Sequence, residues 1–347
     1  MGECMMRTKK LALLGFGNAG QAFSEMLLKK QDDIREKYGY EMIVTAIATN
    51  TKGNLIEEDG IDLREALNDV AEYGKFCNKE QLTEMTTIKI AEAADYDVLI
   101  EMTPLNIFTG QPAIDHIEAA FKRGKDVITA NKGPIAWKFK ALEQMAADNG
   151  CKFYYETTVM DGTPIFNLAE KTLQLAEVTE VKGILNSTTN FILEELAAGA
   201  DYDDIMERGR QMGFVEADPS MDIEGYDAAA KITALLNVLM DADITPDMVD
   251  RKGIEDITIE DIKAAENRGN VIKLLCKGAR DHEGKIIASV RPEEVPESDM
   301  LASIDSTTSI VSITTDLMKT VSIVEHQPEI EQTAYGVFGD LLRVLSE

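Results

Sequence analysis

Short apolar runs alternate with amphipathic stretches in the first part of the chain, whereas longer strand-like runs fill its later part. Residues 9–14, 42–48 and 97–104 read as buried strands. QAFSEMLLKKQ and AWKFKALEQMAADNG carry helical spacing, and DHIEAAFKRGKDVITANKGP reads as helix, strand and loop. Residues 61–92 form a polar, mainly helical insertion. This alternation predicts a parallel, doubly wound sheet over residues 1–150. Farther on, CKFYYETTV reads as a strand before the turn MDGTPIF, and KTLQLAEVTEVKGILNSTTNFILEEL as strand, turn and helix. With IIASVRPEEV and SIVSITTDLMKTVSIVEH these predict a mainly antiparallel sheet covered by helices over residues 151–330. DAAAKITALLNVLM reads as a helix with Asp227 at its N-cap, and the amphipathic segment 331–347 as a helix returning to the first domain.

Composition narrows the partners. Hydrophobic residues at 44% and charged residues at 28% of 347 are ordinary for a globular protein, but a formal net charge of −27 is not. Phosphate binding along a nucleic acid needs a concentrated positive field, so nucleic acid is excluded as a partner, and an anionic membrane surface with it. Cys4, Cys77, Cys151 and Cys276 are far apart and form no CxxC pair. They read as free thiols in a reducing cytosol, with no zinc site. There is no apolar run long enough to span a bilayer and no signal peptide, and MGECMM lacks a myristoylation signal. These features predict a cytoplasmic protein.

The first strand runs into GFGNAG, the residues Gly15, Phe16, Gly17, Asn18, Ala19 and Gly20, which opens a helix. That context is what a dinucleotide fingerprint requires. Gly15 permits the turn, Gly17 lets backbone approach a pyrophosphate, and Gly20 lets helix and strand pack closely. The helix N-terminus offers unpaired N–H groups to the phosphates. An NAD site usually has a carboxylate just after the second strand, on the ribose 2′-hydroxyl. Here Thr49, Asn50, Thr51 and Lys52 stand there, so NADP is expected, with NAD possible. Thr103, Asn131 and Lys132 fall at the carboxyl ends of later strands, where ligands of such sheets bind. Lys132 can meet a reacting carbonyl there, bind cofactor phosphate or lie exposed.

Residues 213–231, GFVEADPSMDIEGYDAAAK, crowd Glu216, Asp218, Asp222, Glu224 and Asp227 ahead of Lys231. Asp227 and Lys231 lie one helical turn apart on one face. By composition alone, a solvated acidic loop with a surface ion pair is the plainer reading. An amine among carboxylates also suits recognition of a small zwitterion, or proton transfer to a developing alkoxide.

TANKGP around Lys132, GILNSTTNFIL over 183–193, and the 213–231 segment together resemble the homoserine dehydrogenase family, and the resemblance covers nearly the whole chain. It implies a Rossmann-type α/β domain plus an α+β domain for catalysis and dimerisation. It also implies interconversion of L-aspartate 4-semialdehyde and L-homoserine with NADPH or NADH, on the route to threonine, methionine and isoleucine. By position, Lys231 and Lys132 correspond to catalytic lysines, and Glu216, Asp222 and Asp227, with Thr188, to residues that bind substrate or position the lysine. None of His116, His282 and His326 matches a catalytic position. The family also implies a monovalent cation, Na+ or K+, held by Glu156 and the backbone carbonyls of Val159, Asp161 and Thr163, with Asp161 standing where a small residue is usual. A homodimer acting on a small amino-acid substrate is expected, and no regulatory domain after the catalytic core.

Two departures qualify the resemblance. Ser187 replaces the glycine of an NGT motif, and Glu325, Gln327 and Glu329 replace glycines of a GPGAG-like run. A carboxylate 4 Å from a pyrophosphate charge would cost roughly 4 kcal/mol at an effective dielectric of about 20. Two rival readings follow: a dehydrogenase acting on another amino-aldehyde, and a dinucleotide-binding regulatory protein without turnover. The retention of Lys132, Lys231 and the three acids argues against the second.

Overall fold

The computed structural model describes residues 6–216 and 218–346, so Cys4 and the rest of the chain before Met6 lie outside the described residues. Two compact units emerge, Met1–Pro164 with Glu329–Glu347, and Ile165–Pro328.

The first unit begins with β1 (Arg7–Leu14), α1 (Asn18–Tyr38), β2 (Tyr40–Ala48) and β3 (Asn54–Ile56). The polar insertion gives α2 (Leu63–Tyr73), β4 (Leu82–Thr83) and α3 (Thr87–Ala93). Then follow β5 (Val98–Glu101), α4 (Ala113–Lys122), β6 (Asp126–Thr129), α5 (Lys132–Asp148) and β7 (Phe153–Tyr154). The seven strands make one sheet in the order β4-β3-β2-β1-β5-β6-β7. β2, β1, β5, β6 and β7 run parallel, and β3 and β4 extend the edge antiparallel. Alternate residues of β1 enter different cores: Leu11 and Leu13 join one cluster, Ala12 and Leu14 the other. A strand buried on both faces must read as a continuous apolar run, as residues 11–14 do, while Lys9 and Lys10, placed in the apolar run by the sequence, stay half-exposed.

The second unit contains α6 (Phe166–Thr172), β8 (Val178–Ile184), α7 (Ser187–Ala197), α8 (Tyr202–Gln211), α9 (Ser220–Ile223) and α10 (Tyr226–Met240). It continues with β9 (Asp250–Arg251), α11 (Ile259–Glu266), β10 (Asn270–Arg280), β11 (Ile286–Pro296), β12 (Ser309–Thr315) and β13 (Lys319–Glu325). Its sheet has the order β13-β12-β8-β10-β11-β9 and is antiparallel except for the β9–β11 pair. α10 lies close on β10: a Cβ at Gly278 would come within 2.4 Å of Leu236. The chain then rejoins the first unit as α12 (Ile330–Ser346), whose Ala334, Val337, Phe338, Leu341 and Val344 complete the cluster containing Leu13 and Phe23.

The Rossmann-type sheet with a second, α+β unit is the fold class the sequence predicts. Four local expectations are corrected. The strand in CKFYYETTV is only Phe153–Tyr154, because Glu156–Thr158 turns into a short 3-10 helix. Lys171 and Thr172 belong to α6 rather than to a strand, which starts only at Val178. Lys132 is not in a loop but opens α5, since Asn131 Oδ1 accepts the Gly133 N–H at 3.0 Å and caps the helix. The N-cap of α10 is Gly225, left-handed at φ 80°, so Asp227 sits inside the first turn and its carboxylate is not used for capping.

Candidate functional site

In the first unit the strand order reverses around β1, so the crevice for a ligand opens at the carboxyl ends of β1 and β5. The glycine loop is built for that place. Gly15 has φ 102°, and a Cβ there would lie 2.3 Å from the Met102 carbonyl oxygen at the end of β5. A Cβ on Gly20 would lie 2.6 Å from the Gly15 carbonyl oxygen. Gly17 is different: its Cβ would meet nothing within 4 Å. Gly15 and Gly20 therefore answer to packing, and Gly17 leaves open space at the start of α1. That helix has no side-chain cap and no acidic residue in its first turn, and Gly17 and Asn18 are exposed there. Backbone N–H groups and the positive end of the helix dipole thus present an unscreened anion site. Phe16 is buried against Phe76, ring centroids 5.4 Å apart, and Ala19 is half-buried. This donor set fits a dinucleotide pyrophosphate.

Beyond β2 the turn 49–52 is tied by Thr49. Its N–H donates to Asn54 Oδ1 at 2.6 Å, its hydroxyl donates to the Gly53 carbonyl at 2.9 Å, and the Lys52 N–H donates to that hydroxyl at 2.8 Å. Asn50 is exposed and Lys52 half-exposed, with no ion pair made by Lys52 among the described residues. Thr103 and Lys132 stand just past β5 and at the start of α5, joined through Asn131, whose Nδ2 donates to the Thr103 carbonyl at 3.1 Å.

The second unit holds the acid–lysine group. Lys231 Nζ lies 2.9 Å from Asp227 Oδ2, one helical turn away on α10, and donates to the Leu185 carbonyl at 2.8 Å. Asn186 caps α7, its Oδ1 accepting the Thr189 N–H at 2.9 Å. Its amide nitrogen donates to Asp222 Oδ1 at 2.6 Å and to Asp227 Oδ2 at 3.0 Å. One amide group has two N–H donors, and here each goes to a different carboxylate. Burial, then repulsion from Asp227, pushes the Asp222 carboxyl above the usual carboxylate range, while Asn186, Lys231 and Thr188 pull it back. Thr188 is buried with its hydroxyl toward the Phe214 carbonyl. Beneath the lysine, burial raises the Cys276 thiol to about 12.

Of the residues the sequence singles out here, Asp222, Asp227, Lys231 and Thr188 are brought together. Glu216 is exposed, and among the described residues it makes none of this group's hydrogen bonds. Asn186 was missed as a site residue, although an asparagine ahead of Ser-Thr-Thr is a recognisable helix cap. Ser187, half-buried, simply follows that cap as the first residue of α7.

The proposed cation ligands lie on a turn in the first unit. Glu156 is buried, with its N–H bonded to Asp340 Oδ2 at 2.9 Å. Met160 and Asp161 are left-handed at φ 55° and 48°, a conformation aspartate tolerates better than most residues. Asp161 Oδ1 accepts the Thr333 hydroxyl at 2.5 Å, so that carboxylate is already engaged. No group of three or more His, Cys, Asp or Glu that could hold a metal ion exists among the described residues. One buried carboxylate with turn carbonyls fits a hard, singly charged ion rather than a divalent one. In the glycine-replaced run, Glu325 is buried at the end of β13, Gln327 keeps a glycine-like φ of 43°, and the N–H of exposed Glu329 donates to Gln332 Oε1 at 2.9 Å.

Comparison with known proteins covers nearly the whole chain. Residues 15–156 match the family model described as homoserine dehydrogenase, NAD binding domain, and residues 164–342 the one described as homoserine dehydrogenase. The chain is 38% identical to a homoserine dehydrogenase of Methanocaldococcus jannaschii, over 96% of this chain and 98% of that one. It is 32% identical to an NAD(+)-dependent homoserine dehydrogenase of Pseudomonas canavaninivorans, over 98% and 97%. Among solved structures, a homoserine dehydrogenase from Thiobacillus denitrificans superposes with a TM-score of 0.82 at 29% identity, over 98% of this chain and 74% of that one. A hyperthermophilic archaeal homoserine dehydrogenase in complex with NADPH also gives 0.82, at 25% identity over 98% of both chains. The chain belongs to the homoserine dehydrogenase family, NAD(P)-dependent oxidoreductases acting on a CH–OH group.

Proposed function

We propose that this homoserine dehydrogenase prefers NADP, works as a cytoplasmic homodimer, and uses Lys231 as the group that manages the proton on the substrate oxygen. The observation carrying the lysine assignment is the Asp227–Lys231 ion pair, bridged by Asn186 to Asp222. In aldehyde reduction, hydride reaches the carbonyl carbon and the oxygen must gain a proton. The Gly15–Gly20 loop would hold a nicotinamide cofactor, which would supply that hydride. The Lys231 ammonium stabilises the developing alkoxide and donates the proton, an effect of about 10²–10⁴-fold. Asp227 favours the charged form of the lysine, and the Leu185 carbonyl fixes where it points. Asp222, Glu216 and Thr188 receive the ammonium group of the amino-acid substrate. Lys132, opening α5, serves the cofactor and the reacting carbonyl.

The preference for NADP is supported by the turn 49–52, where Lys52 stands and no carboxylate contests a 2′-phosphate. An archaeal relative solved in complex with NADPH points the same way, although the Pseudomonas relative is NAD(+)-dependent. A monovalent cation at Glu156 and the carbonyls of Val159, Asp161 and Thr163 would brace the turn that precedes the second unit. The product feeds threonine, methionine and isoleucine synthesis. Oxidation of NADPH and NADH with aspartate semialdehyde tests the reading. Turnover with a lower KM for NADPH is expected; a lower KM for NADH would reverse the cofactor assignment, and turnover only on another amino-aldehyde would replace the substrate.

A further inference from the structure

Glu101 is the last residue of β5 and is wholly buried. The rest of that strand, Val98 to Ile100, is apolar, so the sheet itself has no use for a carboxylate there. A buried carboxylate persists only where hydrogen bonds and opposite charge compensate its lost hydration. Oε1 accepts the Thr103 N–H at 3.2 Å and also the Thr103 hydroxyl. Oε2 lies 3.5 Å from the Thr129 hydroxyl. The fully buried His116 ring brings Nδ1 to 3.5 Å from Oε1, finds no hydrogen-bond partner for that nitrogen among the described residues, and rests its Nε2 on the Thr87 hydroxyl at 2.9 Å.

Asn131 ties the same cluster to the next loop. Its N–H donates to the Thr129 hydroxyl at 3.0 Å and its Nδ2 to the Thr103 carbonyl, while its Oδ1 caps the helix that starts at Lys132. One carboxylate thus stands at the root of two segments, one carrying Thr103 and the other opening α5 at Lys132. We propose that Glu101 is a positioning residue that sets Thr103 and Lys132 in register before the cofactor arrives. This rests on the reading above, in which both residues serve the cofactor. Small displacements matter at such a place, because an error of about 1 Å can lower a rate roughly 10²-fold.

A mutant cycle on the full-length enzyme, read as the NADPH dissociation constant from cofactor fluorescence, tests it. Glu101→Ala should weaken NADPH binding about tenfold in the natural background, and less than about threefold when Thr103→Ala and Lys132→Ala are already present. Glu101→Gln, whose amide oxygen still accepts both Thr103 donors, should recover most of the loss. Equal losses in both backgrounds, or no loss at all, would overturn the proposal. Should Glu101→Ala fail to fold, Asn131→Ala cuts the bridge instead and goes through the same cycle, with equal losses again decisive against. If the Thr103→Ala/Lys132→Ala enzyme bound NADPH as the natural one does, the cofactor reading itself would fall, and this inference with it.

Discussion

The glycine loop of the first unit and the acid–lysine group of the second handle charge in opposite ways. At Gly15–Gly20 no charged side chain takes part: backbone N–H groups and a helix end make the field, and contacts of 2.3 Å and 2.6 Å from would-be Cβ atoms fix the loop. Around Lys231 the field comes from side chains: two carboxylates joined by one asparagine amide, and an ammonium paired with one of them. The first site should therefore be most sensitive to an added methyl group. The second should be most sensitive to a change of charge.

The sharpest break is expected at the lysine. Lys231→Ala should lower kcat about 10²–10⁴-fold while the NADPH dissociation constant, from fluorescence titration, stays within about twofold. A variant turning over at the natural rate would remove this amine from the mechanism. Next comes Gly15→Ala, which combines a strained φ with a backbone clash and should lower unfolding free energy by about 2–4 kcal/mol in urea titrations. Its control, Gly17→Ala, has room for the methyl and should fold as stably, yet bind NADPH more weakly because the methyl occupies the approach to the helix end. Equal stability losses at both glycines would erase the distinction between packing glycine and ligand glycine. A smaller effect is expected at Lys52→Ala, about tenfold in NADPH affinity and none in NADH affinity. Comparable losses for both cofactors would place the 2′-phosphate elsewhere.

The smallest effect concerns pH. Asp222 is held above its ordinary carboxylate value by burial and by Asp227. The folded protein thus keeps that proton where the unfolded chain has already released it. The stabilisation is complete below the unfolded value and falls as pH rises through the folded one. Asp222→Asn has no such fall, so its urea midpoint should gain on that of the natural protein as pH climbs through this window. A difference that stays constant with pH would show that Asp222 is not the residue carrying the raised proton affinity.

The sheet architecture was legible because its strands are buried on both faces and its first turn must contain glycine. Both demands write themselves locally into residues 9–20. Lys231 and Asp227 were legible as a pair because helical spacing alone brings them together. The N-cap was not: aspartate and glycine both suit that position, and only the left-handed backbone of Gly225 decides between them. Asn186 and Glu101 escaped as site residues for a different reason. Their partners are 36 and 41 residues away for Asn186, and for Glu101 as far as Thr129, so no local pattern ties them to the site, although the helix-cap pattern marks Asn186 as a cap. The strand in CKFYYETTV failed as well, since β-branched threonines promise extension where Glu156–Thr158 in fact turns.

The return of α12 to the first unit has a consequence for biosynthesis. Residues of this helix finish an apolar cluster begun at β1, yet the ribosome delivers them only after the entire second unit. At about 5–20 residues per second, that interval leaves the nascent nucleotide unit without one wall for roughly 10–30 s. During that time Leu13 and Phe23 lack part of their cover, so the emerging chain is a natural client for a chaperone that holds greasy surfaces.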